Sequence, residues 1–304
     1  MDKEASNLWL DITEDPSHSW ELTGFRKPGG INSRFAAWAP RELSWRWYRT
    51  FMNLAFATAS PWVKSQLAQL SPTTHLGNPI VNIATWDGHE LHFNLDDLMS
   101  FEELEFLLSA TNHEITTVVE VGAGFGRLCH AINITIPTIE RYVIVDLPKV
   151  IELSSQYLKH VLEYQEFSRI EFISTETLSN TERDLSCDLA IQVDGLQEMN
   201  ESAIAAYMEI FSKSTRFYSR NVVAKYSPEA AGLSVKDEVA PLTLGRSQSK
   251  VDIWNTTELI HIYEQHIDHY TPPGHSCRLT QIDRLFPHYL NMLTIQQGID
   301  VECK

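Results

Sequence analysis

The sequence predicts an α/β fold, a doubly wound and mostly parallel sheet preceded by a helical cap. Three observations predict it. Thr117-Val-Val-Glu-Val-Gly-Ala-Gly-Phe-Gly-Arg-Leu-Cys-His130 reads as a buried strand, a glycine turn and the start of a helix. From there on, short strand-like runs alternate with helical stretches, the pattern of a parallel sheet covered on both faces. The stretch before it differs in kind: seven of the eight Trp fall within residues 1–112. The chain therefore divides into a mainly helical, Trp-rich cap (1–112) and a Rossmann-like domain (113–304).

In the cap, residues 44–70 read as helical, interrupted at Ser60-Pro61, where Ser60 suits an N-cap and Pro61 the first turn. Between Arg26 and Arg49 six basic residues (Arg26, Lys27, Arg34, Arg41, Arg46, Arg49) face one acid, Glu42, and are interleaved with Trp38, Trp45 and Trp47. Such a patch can grip an anionic or sugar-bearing ligand; the plainer reading, which we favour, is aromatic packing with a solvated basic face. Leu76-Gly-Asn-Pro79 is a turn, and Trp86-Asp-Gly-His89 a second, so residues 80–93 form a small hairpin. Asn94 caps a following helix that carries Asp96 and Asp97 in its first turn.

Past residue 117 the expected order is strand to Val121, helix from Arg127 to Thr135, strand 141–146, helix from Pro148 to about Tyr164, and strand 170–173. Strand 188–193, helix 201–212 and strand 215–223 follow. Residues 225–250 are polar, with Pro and Gly and no period, and read as a substrate-closing lid or as a plain surface loop. A helix over 255–264 and a final strand over 289–296 complete the chain.

The glycine turn carries the chemistry. Three glycines, Gly122, Gly124 and Gly126, allow a sharp bend and close approach of a ligand, and the helix that follows presents free N–H groups. A dinucleotide site wants G-x-G-x-x-G, but the position of its last glycine is Arg127. Glu120, two residues before the first glycine, is poorly placed for a pyrophosphate and well suited to an ammonium or sulfonium. Asp146 ends the next strand 20 residues after Gly126, where an acid can accept hydrogen bonds from both ribose hydroxyls. The pattern E-x-G-x-G-x-G with this spaced acid resembles motif I of the class I S-adenosylmethionine methyltransferases.

Further stretches resemble the sugar O-methyltransferase subgroup: Leu76-Gly-Asn-Pro79, residues 119–128, Tyr142-Val-Ile-Val-Asp-Leu-Pro148, Leu196-Gln-Glu-Met199 and Phe217-Tyr-Ser-Arg-Asn221. The resemblance covers roughly residues 75–225. It implies S-adenosylmethionine as methyl donor, S-adenosylhomocysteine as product, and a sheet whose last strand is reversed. It places the cofactor against Glu120, Gly122, Ala123, Gly124, Gly126, Asp146, Leu147, Ser174, Thr175 and Asp194. The expected reaction is methylation of a hydroxyl on a sugar or small glycosylated metabolite. Rival readings keep the cofactor but methylate nitrogen or a carboxylate of a peptide or natural product, or make the chain a non-catalytic accessory subunit.

A hydroxyl near neutral pH needs a base or a metal. Glu198, four residues past Asp194, is one candidate base; a role in binding backbone or Arg220 is the alternative. The other is His275, in the loop Thr271-Pro-Pro-Gly-His275 and part of a cluster with His261, His266 and His269; a solvated His-rich surface is the reading we favour for this group. The twelve His show no recognised zinc spacing, and Ser219-Arg-Asn221 offers no acid for a magnesium site, so no metal is expected.

Bulk properties bound the rest. The formal net charge is 24 − 40 = −16, which disfavours nucleic acid and anionic membrane as partners. The expected partners are a small sugar-bearing acceptor and, as an assembly, a homodimer. Four scattered Cys without a C-x-x-C pair, no signal-like start and no apolar run of ~18 residues predict a cytoplasmic protein.

Overall fold

The computed structural model describes residues 13–14, 20–26, 45–70, 75–110, 114–180, 183–196, 199, 201–223, 256–286 and 289–299. Helix α1 (Trp45–Thr58) and helix α2 (Pro61–Gln69) are separated at the expected break, where the Ser60 hydroxyl accepts from the Val63 N–H. Strands β1 (Asn82–Trp86) and β2 (His89–Phe93) form an antiparallel hairpin, with Asp87 and Gly88 both at positive φ, as a two-residue turn of the correct twist demands. Asn94 caps α3 (Leu95–Ser109), accepting from the Asp97 N–H at 3.1 Å.

The second part is one seven-stranded sheet in the order β5-β4-β3-β6-β7-β9-β8. Its strands are β3 (Thr117–Val121), β4 (Arg141–Asp146), β5 (Ile170–Ser174), β6 (Cys187–Val193), β7 (Ser214–Val222), β8 (His275–Ile282) and β9 (Tyr289–Gln296). The first five run parallel; β9 is antiparallel to both β7 and β8, so the reversed last strand is present. Helices α4 (Arg127–Thr135) and α5 (Pro148–Val161) pack with α3 on one face; α8 (Glu201–Phe211) and α9 (Thr256–Tyr270) pack on the other. Short helices α6 (Tyr164–Phe167) and α7 (Thr175–Asn180) flank β5. No helix among the described residues is long and apolar enough to cross a membrane.

Several boundaries differ from expectation. Helix α5 stops at Val161, because Glu163 and Glu166 form a reciprocal cap that starts α6 afresh. Strand β8 is absent from the sequence reading: it is an edge strand exposed on both faces, so no apolar alternation marks it. Residues 225–250, the lid-or-loop stretch, lie outside the described residues.

Residues on both sides of position 112 share one buried cluster. Phe25, Met52, Phe56, Leu98 and Leu107 belong to the same buried cluster as Val118, Leu128 and Tyr218. Charge crosses the division too. Arg26 is buried rather than solvated: it donates to Asp96 (Nε 3.0 Å, Nη2 2.7 Å) and to Asn94 (2.6 Å), and its guanidinium lies 4.9 Å from the Phe125 ring centroid. Arg49 donates to the Val81 carbonyl and to Asn82. Lys27, Arg34 and Arg41 lie outside the described residues, as does the side chain of Arg46. Deeper in, Glu103 on α3 accepts two bonds of 2.8 Å from Arg127 at the head of α4, with Arg220 of β7 at 3.7 Å. Arg220 in turn donates to Asp283 at 2.7 Å.

Removing one partner of a buried pair leaves the other charge desolvated and unpaired. Glu103→Leu is expected to lower the unfolding free energy by about 3–5 kcal/mol in a urea titration. Removing the exposed Arg141–Glu171 pair by Glu171→Ala is expected to change it by less than about 1 kcal/mol.

Candidate active site

In an open α/β sheet, ligands bind outside the carboxyl ends of the strands, where helices leave adjacent strands toward opposite faces. Here that point lies between β3 and β6. The chain leaving β3 enters α4 on the α3 side, and the chain leaving β6 enters α8 on the other. Two turns border this crevice, Gly122–Gly126 and Asp194–Leu196.

The first turn needs its glycines. Gly122, Gly124 and Gly126 have φ of 76°, 58° and 92°, all left-handed. A Cβ on Gly126 would sit 2.9 Å from Leu158, so α5 closes against the bare backbone. A Cβ on Gly122 would meet nothing nearer than the Gln192 amide at 3.9 Å, which leaves open space beside the turn. Ala123, between the first two glycines, is nearly buried in the α3-side core.

Three carboxyl groups ring the crevice. Glu120 is buried under the turn and accepts from the Tyr142 hydroxyl at 2.6 Å. Burial raises its pKa to about 7, against the opposing pull of that hydroxyl and of Arg127. Asp146 ends β4 and accepts from the backbone N–H of Gly124 (3.0 Å) and Leu147 (2.7 Å). Its burial also raises the pKa to about 7, with the two N–H bonds opposing. Asp194 holds φ of 60°, uncommon for a residue with a side chain. Its N–H donates to the Arg220 carbonyl at 2.8 Å, and its carboxylate accepts from the Tyr289 hydroxyl at 2.9 Å.

The second turn is held from below by a buried amide pair that the sequence reading missed. Gln192 is oriented so that its oxygen accepts from the N–H of Gly195 (2.7 Å) and Leu196 (3.1 Å), while its nitrogen donates to the Asn221 oxygen (3.0 Å). Both residues are wholly buried, and a Cβ on Gly195 would lie 2.4 Å from this amide. The available signal was the amide of Gln192 near the end of the mostly apolar run Leu189–Val193.

The remaining expected site residues divide. Leu147, Ser174 and Thr175 follow β4 and close β5 on the same carboxyl edge, where Ser174 caps α7 by accepting from the Thr177 N–H. Glu198 lies outside the described residues. His275 must be corrected: it is not in a loop near the crevice but begins β8, opposite Gln296, at the amino end of the parallel strands. The seven residues of β6 span roughly 23 Å at ~3.3 Å each, which sets its distance from the crevice. It is buried and bonded to Thr294 at 3.0 Å, and burial lowers its pKa. No base role at the crevice follows for it. His266 is likewise buried, with a pKa pushed down to about 3 by burial. No group of three or more His, Cys, Asp or Glu among the described residues is arranged to hold a metal ion.

The residues present fit a cofactor bearing ribose hydroxyls and an ammonium or sulfonium. The carboxyl groups supply acceptors and negative charge, and the glycine turn supplies room, its glycine N–H groups being bonded to Val145, Asp146 and Ala123. They do not fit a pyrophosphate, because Arg127 turns away into its bond with Glu103 and Glu120 lies beneath the turn.

No family model matches the chain, and no curated protein matches it. Among solved structures it is similar to the methyltransferase domain of bacterial CtHen1-CN, with 17% identity over 66% of this chain and 100% of that one and a TM-score of 0.46. It is similar to human N-acetylserotonin methyltransferase in complex with S-adenosylmethionine, with 14% identity over 66% of this chain and 53% of that one and a TM-score of 0.38. A third is the O-methyltransferase family 2 protein from Planctomyces limnophilus in complex with apigenin, with 15% identity over 67% of this chain and 62% of that one and a TM-score of 0.39. The doubly wound topology is established by the strand order itself, independently of these overlaps.

The raised pKa of Glu120 has a consequence for stability. The native state keeps a proton there that the unfolded chain releases near pH 4.5, so stability falls as pH rises from 4.5 to about 7 and then levels. Glu120→Gln is expected to flatten this fall and to gain roughly 3 kcal/mol at pH 8, read from urea titrations across the range.

Proposed function

We propose that the chain binds S-adenosylmethionine in the crevice between β3 and β6 and transfers its methyl group to a hydroxyl of a sugar or small glycosylated metabolite. One observation carries the cofactor: the glycine turn, the acid beneath it and the acid ending β4 meet at the topological switch point of a sheet whose β9 is reversed. Asp146 would take the ribose hydroxyls, and Glu120 and Asp194 the positive methionyl end. The bound cofactor would supply an electrophilic methyl group on a sulfonium.

The chain's own work is to align, exclude water and manage a proton. The cap shares a buried core with the α3 face of the sheet, and in this reading it would close that side of the crevice to solvent. The Gln192–Asn221 pair fixes the turn that carries Asp194 and leads to Glu198. Glu198 is the residue we propose to accept the proton of the acceptor hydroxyl, and His275 is not a second candidate. The sugar acceptor is supported by the sequence resemblance over residues 75–225 alone.

Thermal unfolding with S-adenosylhomocysteine, S-adenosylmethionine and NAD tests the cofactor. A ligand at 100 times its dissociation constant is expected to add ~2.7 kcal/mol for the first two and nothing for NAD. Glu120→Ala and Asp146→Ala are expected to abolish the gain. Stabilisation by NAD alone would replace this reading with that of a dinucleotide enzyme.

A further inference from the structure

Arg220 is not used by the reading above except through its backbone. It pairs in register with Val193, the last residue of β6, and so stands at the carboxyl edge of the sheet beside Asp194. Its side chain is 1% exposed. Nε donates to Asp283 at 2.7 Å, and the guanidinium lies 4.3 Å from the centre of the Tyr289 ring. Burial works against its charge, but Asp283 and Glu103 outweigh that and hold it protonated. Nη1 and Nη2 are both buried and have no hydrogen-bond partner among the described residues.

That is a costly arrangement for a charged group, and its geometry is informative. Asp283 takes the Nε edge, so the unpaired edge is the enclosed fork formed by Nη1 and Nη2. Two parallel N–H bonds from that fork match the two oxygens of a carboxylate, which a lysine ammonium cannot do. The place is informative as well. The groups assigned to the cofactor lie on β3, β4 and β6, and β7 is the next strand outward. Asp146 is three strands away, ~14 Å at ~4.8 Å per strand. In a chain of net charge −16 the bulk field repels anions, so an anion must be recognised by a local cation.

We infer that the Nη1/Nη2 fork of Arg220 receives a carboxylate of the acceptor, which makes the acceptor an acidic, uronate-type sugar or a metabolite bearing one. This rests on the methyl-transfer reading for assigning the outer half of the crevice to the acceptor. The probes are glucuronate and its neutral amide, glucuronamide, titrated calorimetrically into protein saturated with S-adenosylhomocysteine. Glucuronate is expected to bind about tenfold more tightly than the amide. In Arg220→Lys that preference is expected to fall below roughly threefold.

Equal binding of the two sugars to the wild-type protein overturns the inference and means the fork is filled by water. Should the variant fail to fold, the wild-type comparison decides alone, because the charge is removed from the ligand. Should the wild type bind no S-adenosylhomocysteine, the cofactor reading fails, and the same pair of sugars titrated without it still reads the fork.

Discussion

The structure depends on one buried carboxylate. Glu103 is 3% exposed and sits on α3, a helix that by composition belongs to the amino-terminal cap. It accepts both arms of Arg127, which begins the helix after the glycine turn, and lies within 3.7 Å of Arg220 on β7. Asp283, in the connection from β8 to β9, completes the set. Four charges from four separate parts of the chain thus neutralise one another in the interior. Such a set is stable only when complete, since each charge left alone would face the full cost of desolvation. The cap, the glycine turn and the antiparallel edge of the sheet must therefore assemble together. The same set explains why the third glycine of a dinucleotide motif is missing: position 127 is committed to holding the cap.

Above this network the crevice is built from backbone held in uncommon conformations. The glycines of the first turn accept left-handed φ at little cost, but Asp194 does so with a side chain in place. It is kept there by the Arg220 carbonyl, by the Tyr289 hydroxyl and by the amide pair beneath the turn. Strain of this kind persists where surrounding structure over-determines it, as at sites that must present a group in one orientation. Arg220 links the two levels. Its side chain belongs to the charge network, its carbonyl to the strained turn, and its fork to neither.

Much of the fold was legible. The strands near 117–121 and 141–146, the hairpin and the caps at Ser60 and Asn94 all follow from local rules, because β-branched runs, glycine turns and side-chain caps act over a few residues. The glycine turn and its two acids were legible for the same reason. What failed was non-local. Strand β8 carries no apolar alternation, since its partner is supplied on one edge only, and His275 was placed in a loop for want of that strand. Arg26 looked like part of a solvated basic face because its anionic partner Asp96 is 70 residues away.

The doubly wound class and the left-handed glycine turn were readable from the amino-acid sequence alone. Each is a property of short stretches, set by backbone sterics. Which polar residues are buried together became visible only once the chain was folded. Folding brought Glu103 to Arg127, slid Gln192 and Asn221 under the Asp194 turn, moved His275 to the far end of the sheet and left the buried Arg220 fork unpaired. Burial and pairing depend on contacts between distant segments, and desolvation makes those contacts all-or-none.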